Sequence, residues 1–291
     1  MSKKQIDFVT YPQETHWVGD GFRVHNFIPG VPGMEQEQMN PFVLLDYNAK
    51  MHVDGGVPRG VGAHPHRGFS TVTMAYHGKV AHHDSNGGGG VIGEGDVQWM
   101  TAARDVLHKE YYEEEWARRG GDFQMVQLWV NLPASAKMSD PSYQAVARAD
   151  MGKHELPDDG GVVEVISGQY KDVKGPARSA TPVHLMNARL NLGGKAQFSF
   201  PAHYTTALIV VQGSVTVNGV EVMQDNMLKF KREGEDFELT ATAPGTVVLV
   251  MSGEPIDEPI VSWGPFVMNT HEEIKEAFKD FGNGLFGELE D

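Results

Sequence analysis

Apolar residues along this chain fall in short runs broken by glycine, proline and charged turn formers, and one stretch alone has a helical period. Residues 41–51 (PFVLLDYNAKM) read as a buried strand leaving into a loop. Residues 69–76 are β-branched and aromatic, and residues 123–133 (FQMVQLWVNLP) form another buried run. The second half repeats the first in outline. Val211-Gln212-Gly213-Ser214-Val215 echoes Tyr76-His77-Gly78-Lys79-Val80 as strand, glycine turn and strand, and residues 225–230 echo residues 95–100. The helical stretch lies near the end, where Thr270 and Glu273 fit a capping box. Ile274, Ala277, Phe278 and Phe281 then make one apolar stripe, with Gly282 as the expected C-terminal cap. The pattern predicts strand-dominated halves, a first domain over 1–133, a linker over 134–144 (ASAKMSDPSYQ), and a second domain over 145–291 that carries the helix. The charged EEEWARRGGD segment, residues 113–122, reads as a surface turn.

Composition narrows the chemistry. A chain of 291 residues has room for two small domains, and its 34 glycines and 16 prolines favour short strands over long helices. With no cysteine, disulfides, thiolate metal sites and a cysteine nucleophile are excluded. Twenty-four Lys and Arg against 39 Asp and Glu give a net charge of −15, which disfavours binding to a phosphate backbone. The N-terminal residues lack the apolar core of a signal peptide, and no apolar run approaches a membrane span. The expectation is a cytoplasmic chain without a nucleic-acid or membrane partner. Two domains in one chain favour a monomer with the two domains packed face to face.

The candidate chemistry sits between residues 60 and 112. His64 and His66 are spaced i, i+2, as are His108 and Glu110, so on strands each pair points to one face. Three imidazoles and a carboxylate suit one divalent transition metal. An octahedral ion so held keeps two positions for water, dioxygen or a chelating substrate. Counting parity onward from His66 places Ser70, Val72, Met74 and Tyr76 on the ligand face, with Glu110 as the only motif carboxylate, unless a bulge intervenes. His82 is a candidate for orienting a ligand imidazole through its other ring nitrogen. Gly88, Gly90 and Gly93 satisfy G-x-G-x-x-G, but strand-like residues follow instead of a helix, so a hairpin is expected rather than a nucleotide site. His154, His184 and His203 are too scattered to pair, so the second domain is expected to hold no metal.

The runs HPHRGF, HHDSNGGGG, GDVQWMTA and HKE, with GEPIDEPIVSWGPFVMNT near the end, resemble the pirin family of the cupin superfamily over nearly the whole chain. The resemblance implies an all-β bicupin, two jelly-roll-like β-barrels in tandem with a short C-terminal helix. It implies one metal, usually iron, in the N-terminal barrel, on His64, His66, His108 and Glu110. Many pirins carry Glu where this chain has Ser70 and Ser where it has Lys109, changes that leave the ligands intact but alter the pocket. Pirin-like proteins are associated with quercetin 2,3-dioxygenase activity. This implies an oxidoreductase acting on a flavonol and dioxygen, with Glu110 taking the proton of the 3-hydroxyl. Some eukaryotic pirins act instead as iron-dependent, redox-sensing cofactors of regulatory proteins, which is the alternative reading.

Overall fold

The computed structural model describes residues 2–12 and 14–289. Strands dominate it. Among the described residues the α-helices are Gln36–Met39, Glu114–Arg119, Ala134–Lys137 and His271–Gly282. The chain folds into two compact units, Gln13–Ala147 with Ile256–Asp291, and Met1–Pro12 with Arg148–Pro255. These are called the first and second barrel below.

In the first barrel a seven-stranded sheet runs in the order Ser142–Val146, Val97–Thr101, Phe69–His77, Gly120–Asn131, Phe42–Asp54, Phe22–Ile28, Thr15–Val18. A four-stranded sheet runs Gly60–His66, Val106–Tyr112, Val80–Asp84, Gly89–Ile92. The second barrel repeats this scheme. Its seven-stranded sheet is ordered Ile6–Thr10, Met227–Phe230, Thr205–Gln212, Thr246–Gly253, Val183–Leu190, Gly161–Ser167, Gly152–Glu155. Its four-stranded sheet is ordered Lys195–Ser199, Asp236–Ala241, Ser214–Val217, Val220–Met223. Every neighbouring pair in the four-stranded sheet of the first barrel is antiparallel. The expected all-β bicupin architecture is the observed one. The repeat was legible because the turns Gly78 and Gly213 both need positive φ, 84° and 77°, which glycine reaches without a Cβ clash.

The domain boundaries differ from expectation. Ile6–Thr10 pairs with Met227–Phe230, so the N-terminal strand is an edge of the second barrel rather than part of a 1–133 domain. The segment 134–144 is no free linker: Ala134–Lys137 is helical, and Ser142–Val146 pairs with Val97–Thr101 as the matching edge of the first barrel. The terminal helix belongs to the first barrel, not to a 145–291 domain. Ile274 and Ala277 pack with Phe266, Met268 and Phe286. Asp280 pairs at 2.9 Å with Arg67, the residue after His66. The outermost residues of the expected domains, Met1, Glu290 and Asp291, lie outside the described residues.

The helix itself forms as its capping box predicts, with Glu273 N–H donating to Thr270 and the Glu273 carboxylate accepting from Thr270 N–H at 2.8 Å. It runs through Gly282 and is capped by Asn283; the left-handed glycine is Gly284. Segment 113–122 is likewise more than a turn. Glu113 caps a short helix, Glu114–Arg119, by accepting from Glu115 N and Trp116 N, and Trp116 is buried with Phe22, Tyr112 and Phe123.

Candidate metal centre

The ligand strands Gly60–His66 and Val106–Tyr112 are direct antiparallel neighbours, with His64 opposite His108 and His66 opposite Val106. A register shift follows His108, and on the other side of this strand His82 faces Glu110. Strand alternation therefore turns His64, His66, His108 and Glu110 into one interior, as the i, i+2 spacing predicted. The ring centroids of His64 and His108 are 4.2 Å apart, and that of His66 is 4.8 Å from each. Ligand atoms of His64, His66 and His108 lie within 4.8 Å of one another, as do those of His82, His108 and Glu110.

Two of the three imidazoles, His64 and His66, are arranged to offer Nε2. His64 Nδ1 donates to the Gly62 carbonyl at 2.8 Å, and His66 Nδ1 donates to the Pro265 carbonyl at 3.2 Å. His108 Nδ1 lies 3.3 Å from His82 Nδ1, while its Nε2 is buried without a hydrogen-bond partner. A buried, unpartnered ring nitrogen beside two further imidazoles fits a metal ion, because it is otherwise costly. Burial, reinforced by the neighbouring imidazoles, holds His66 and His108 well below the ordinary histidine value. Burial also lowers His64, against the Gly62 carbonyl and Glu110, which raise it. These shifts favour the neutral imidazole, the form that binds metal. The cluster could hold a metal.

Glu110 is held by two amide donors beside the Thr73 hydroxyl, whose single proton has its shorter contact, 2.5 Å, with Gln127 Oε1. Glu110 Oε1 accepts from Gln98 Nε2 at 2.6 Å and lies 3.1 Å from the Thr73 hydroxyl, and its Oε2 accepts from Gln127 Nε2 at 3.2 Å. These partners belong to one rung across the seven-stranded sheet, in which Asn26, Asp46, Gln127, Thr73 and Gln98 are successive cross-strand neighbours. The parity expected for Ser70 is reversed. Gly68, at φ 93°, ends the ligand strand, and the next strand enters the other sheet with Phe69 against the His66 ring and Thr73 on Glu110. Ser70 points to the opposite face, where its hydroxyl meets Thr101 at 2.9 Å. Ser70 therefore does not reach the ligand set.

A cavity of about 250 Å³ opens beside the ligands. Phe22, Val24, Leu44, Met125 and Trp129 supply apolar walls, and His64, His66, Glu110, Gln127 and Asp46 supply the polar points. Asp46 is a second carboxylate at this cavity, missed in the sequence. Burial raises its pKa, opposed by the hydrogen bond from Asn26 Nδ2 at 2.7 Å. An acid inside the apolar run FVLLDY was the available signal. The pair His82 and Asp84 was also legible, since it has the same i, i+2 spacing as the ligand pairs. His82 is fully buried, stacked on Tyr143 at 5.1 Å, and its Nε2 donates to Asp84 Oδ2 at 3.2 Å. Burial raises the Asp84 pKa, but the bonds from His82, Gly88 N–H and Asn86 N–H outweigh it and leave the group below the usual range.

In the second barrel, the strands equivalent by topology to the ligand strands are Lys195–Ser199 and Asp236–Ala241. Their inward residues are Ala196, Phe198, Phe237 and Leu239, with Phe198 opposite Phe237 and Ala196 opposite Leu239. Hydrocarbon fills the place that imidazoles occupy in the first barrel.

Two barrels of this topology, one lined with apolar side chains and one bearing two potential metal-ligating groups that share His108, define a bicupin whose candidate metal ligands among the described residues lie in the first barrel. Sequence comparison matches residues 21–130 to the Pirin family and residues 185–287 to the Pirin C-terminal cupin domain. The chain belongs to the pirin family. It is similar to the crystal structure of quercetin 2,3-dioxygenase from Acinetobacter baumannii, at 44% identity and a TM-score of 0.91 over 99% of this chain and 100% of that one. It is 45% identical over 273 residues to the Pseudomonas aeruginosa protein named "Putative quercetin 2,3-dioxygenase PA2418", covering 93% of this chain and 94% of that protein. It is 36% identical over 274 residues to pirin of Homo sapiens, covering 92% and 89%. No helix among the described residues is long and apolar enough to cross a membrane.

Proposed function

We propose that this chain is a metal-dependent dioxygenase that cleaves a flavonol such as quercetin, with His64, His66, His108 and Glu110 holding one divalent transition metal, iron in the first instance. The observation that carries this reading is the cluster of three imidazoles, two of them lining an apolar-walled cavity with Nδ1 on backbone carbonyls and the third with a buried, unpartnered Nε2. The names of the Acinetobacter and Pseudomonas relatives support the substrate class.

A divalent ion seated there would supply a Lewis acid for the 3-oxygen of the flavonol. The remaining tasks fall to side chains. Glu110 takes the 3-hydroxyl proton, and Gln98, Thr73 and Gln127 fix its carboxylate for that transfer. Phe22, Val24, Leu44 and Met125 receive the rings and keep water out, as apolar pockets with few polar points do. The reaction balances with dioxygen as the only oxidant. Both of its oxygen atoms enter the cleaved product, and one ring carbon leaves as carbon monoxide.

The test is oxygen uptake by iron-loaded protein given quercetin, with carbon monoxide measured in the headspace. One oxygen consumed per carbon monoxide released is the expected result. Protein that holds its metal yet neither consumes oxygen nor depletes quercetin would overturn the assignment.

A further inference from the structure

The three imidazoles do not hold their tautomers by the same means. The partners of His64 and His66 are the carbonyls of Gly62 and Pro265, and a carbonyl can only accept. Each ring must therefore carry its proton on Nδ1 and leave Nε2 as a lone pair. His108 has no such partner. Its Nδ1 faces the Nδ1 of His82 at 3.3 Å, and an imidazole nitrogen can either donate or accept. If His82 donated, the His108 proton would sit on Nε2, buried, without an acceptor and unable to bind metal.

We propose that Asp84, acting through His82, is the positioning residue that keeps the His108 proton on Nδ1 and its Nε2 free for metal. Its carboxylate accepts, at 3.2 Å, from His82 Nε2–H. With that proton on Nε2, His82 Nδ1 is an acceptor, so His108 Nδ1 must donate. The chain Asp84, His82, His108 thus passes a tautomer choice inward to the metal position. The outer end is fixed by backbone: Asp84 Oδ1 accepts from Asn86 N–H and Gly88 N–H, both at 2.9 Å. Gly88 lies in the glycine run that imitates a dinucleotide fingerprint. A Cβ there would collide with the Asp84 carboxylate, which gives this glycine a role in seating the acid. Tyr143, stacked on His82 at an interplanar angle of 23°, fixes the plane of the ring.

The relay rests on the metal-centre reading above, and one substitution tests it separately. In Asp84→Asn the two backbone N–H groups claim the amide oxygen, so the amide nitrogen faces His82 Nε2 as a donor. His82 must then accept at Nε2 and donate from Nδ1, and His108 is driven to carry its proton on Nε2. Nitrogen-15 NMR of metal-free protein reads this directly. Wild type should show Nδ1–H on His108 and Nε2–H on His82, and Asp84→Asn should invert both. Titration with Co²⁺, followed by its absorption, should give an affinity about 10–100-fold weaker for the variant, the usual effect of losing such a partner. Unchanged His108 tautomer or unchanged Co²⁺ affinity in a folded variant overturns the relay. A wild type that binds no Co²⁺ counts against the metal centre instead, and the tautomers still decide the relay. If the variant does not fold, Nε2–H on His108 of the metal-free wild type is enough to overturn it.

Discussion

Glu110 is where the chemistry of single residues is most exposed to test. Its side chain accepts from the amides of Gln98 and Gln127, donors matched to a carboxylate, with the Thr73 hydroxyl alongside. Glu110→Gln keeps the shape but sets one amide N–H₂ against a donor, at a cost on the order of 1–3 kcal/mol unless Gln127 turns over. The three imidazoles are untouched by this change. Metal content should therefore stay close to wild type while flavonol turnover falls at least about 100-fold, the lower end of general-base contributions. Metal analysis beside turnover decides the role. Near-normal turnover would remove the base, and lost metal would make Glu110 a ligand only. The four residues His64, His66, His108 and Glu110 were legible from spacing because alternation on a strand is a local rule. Gln98, Gln127 and Thr73 were not, since they meet Glu110 only through cross-strand register among strands distant in sequence.

Between residue and barrel, the turn at Arg67 and Gly68 governs which side chains reach the site. Strand parity counted straight through this turn places Ser70 inside. The backbone at φ 93° breaks the count and sends the chain into the other sheet. Gly68 cannot carry a Cβ, which would strike the Val267 carbonyl. The turn is held by the buried Lys137, whose ammonium donates to the carbonyls of Gly68 at 2.7 Å and Val267 at 2.8 Å and to Asn131 Oδ1 at 2.7 Å. Burial lowers the Lys137 pKa from 10.5 to about 7, against the smaller raising effects of Glu258 and Glu273. Between those two pH values the unfolded chain binds a proton that the folded chain does not, so this group makes stability rise with pH. Below about 7 both states are protonated and the slope vanishes. Urea midpoints at pH 6, 7, 8 and 9 for wild type and Lys137→Met should diverge above pH 7. Wild type should gain on the variant by at most about 1.4 kcal/mol per pH unit. Parallel curves would mean that Lys137 titrates alike in both states. Nothing in the segment ASAKMSD announced this role, because two of the three acceptors, the carbonyls of Gly68 and Val267, lie far from it along the chain.

At the scale of the whole molecule, the repeat was readable and the exchange of chain ends was not. Glycine turns and buried runs recur in both halves because each barrel needs the same hairpins. An edge strand leaves a weaker trace. Ile6–Thr10 carries four cross-strand pairings, and its partner lies more than 200 residues away. A chain cut at residue 133 would therefore isolate no domain. It would lose the edge strand Ser142–Val146, the Pro265 carbonyl that holds His66, and Lys137, whose ammonium holds the Gly68 carbonyl. Deleting residues 1–12 makes the sharper test, because it strips the second barrel and leaves every candidate ligand in place. Ile6 and Val9, both half-buried against that core, contribute on the order of 3 kcal/mol together. The buried Lys4, whose ammonium donates to the Gly234 carbonyl at 3.2 Å, goes with them. Thermal unfolding and limited proteolysis should show residues 148–255 destabilised, with Co²⁺ affinity within about twofold of wild type, as for sites that share no partners. An unchanged melting profile would return residues 1–12 to the first domain, where sequence alone had put them.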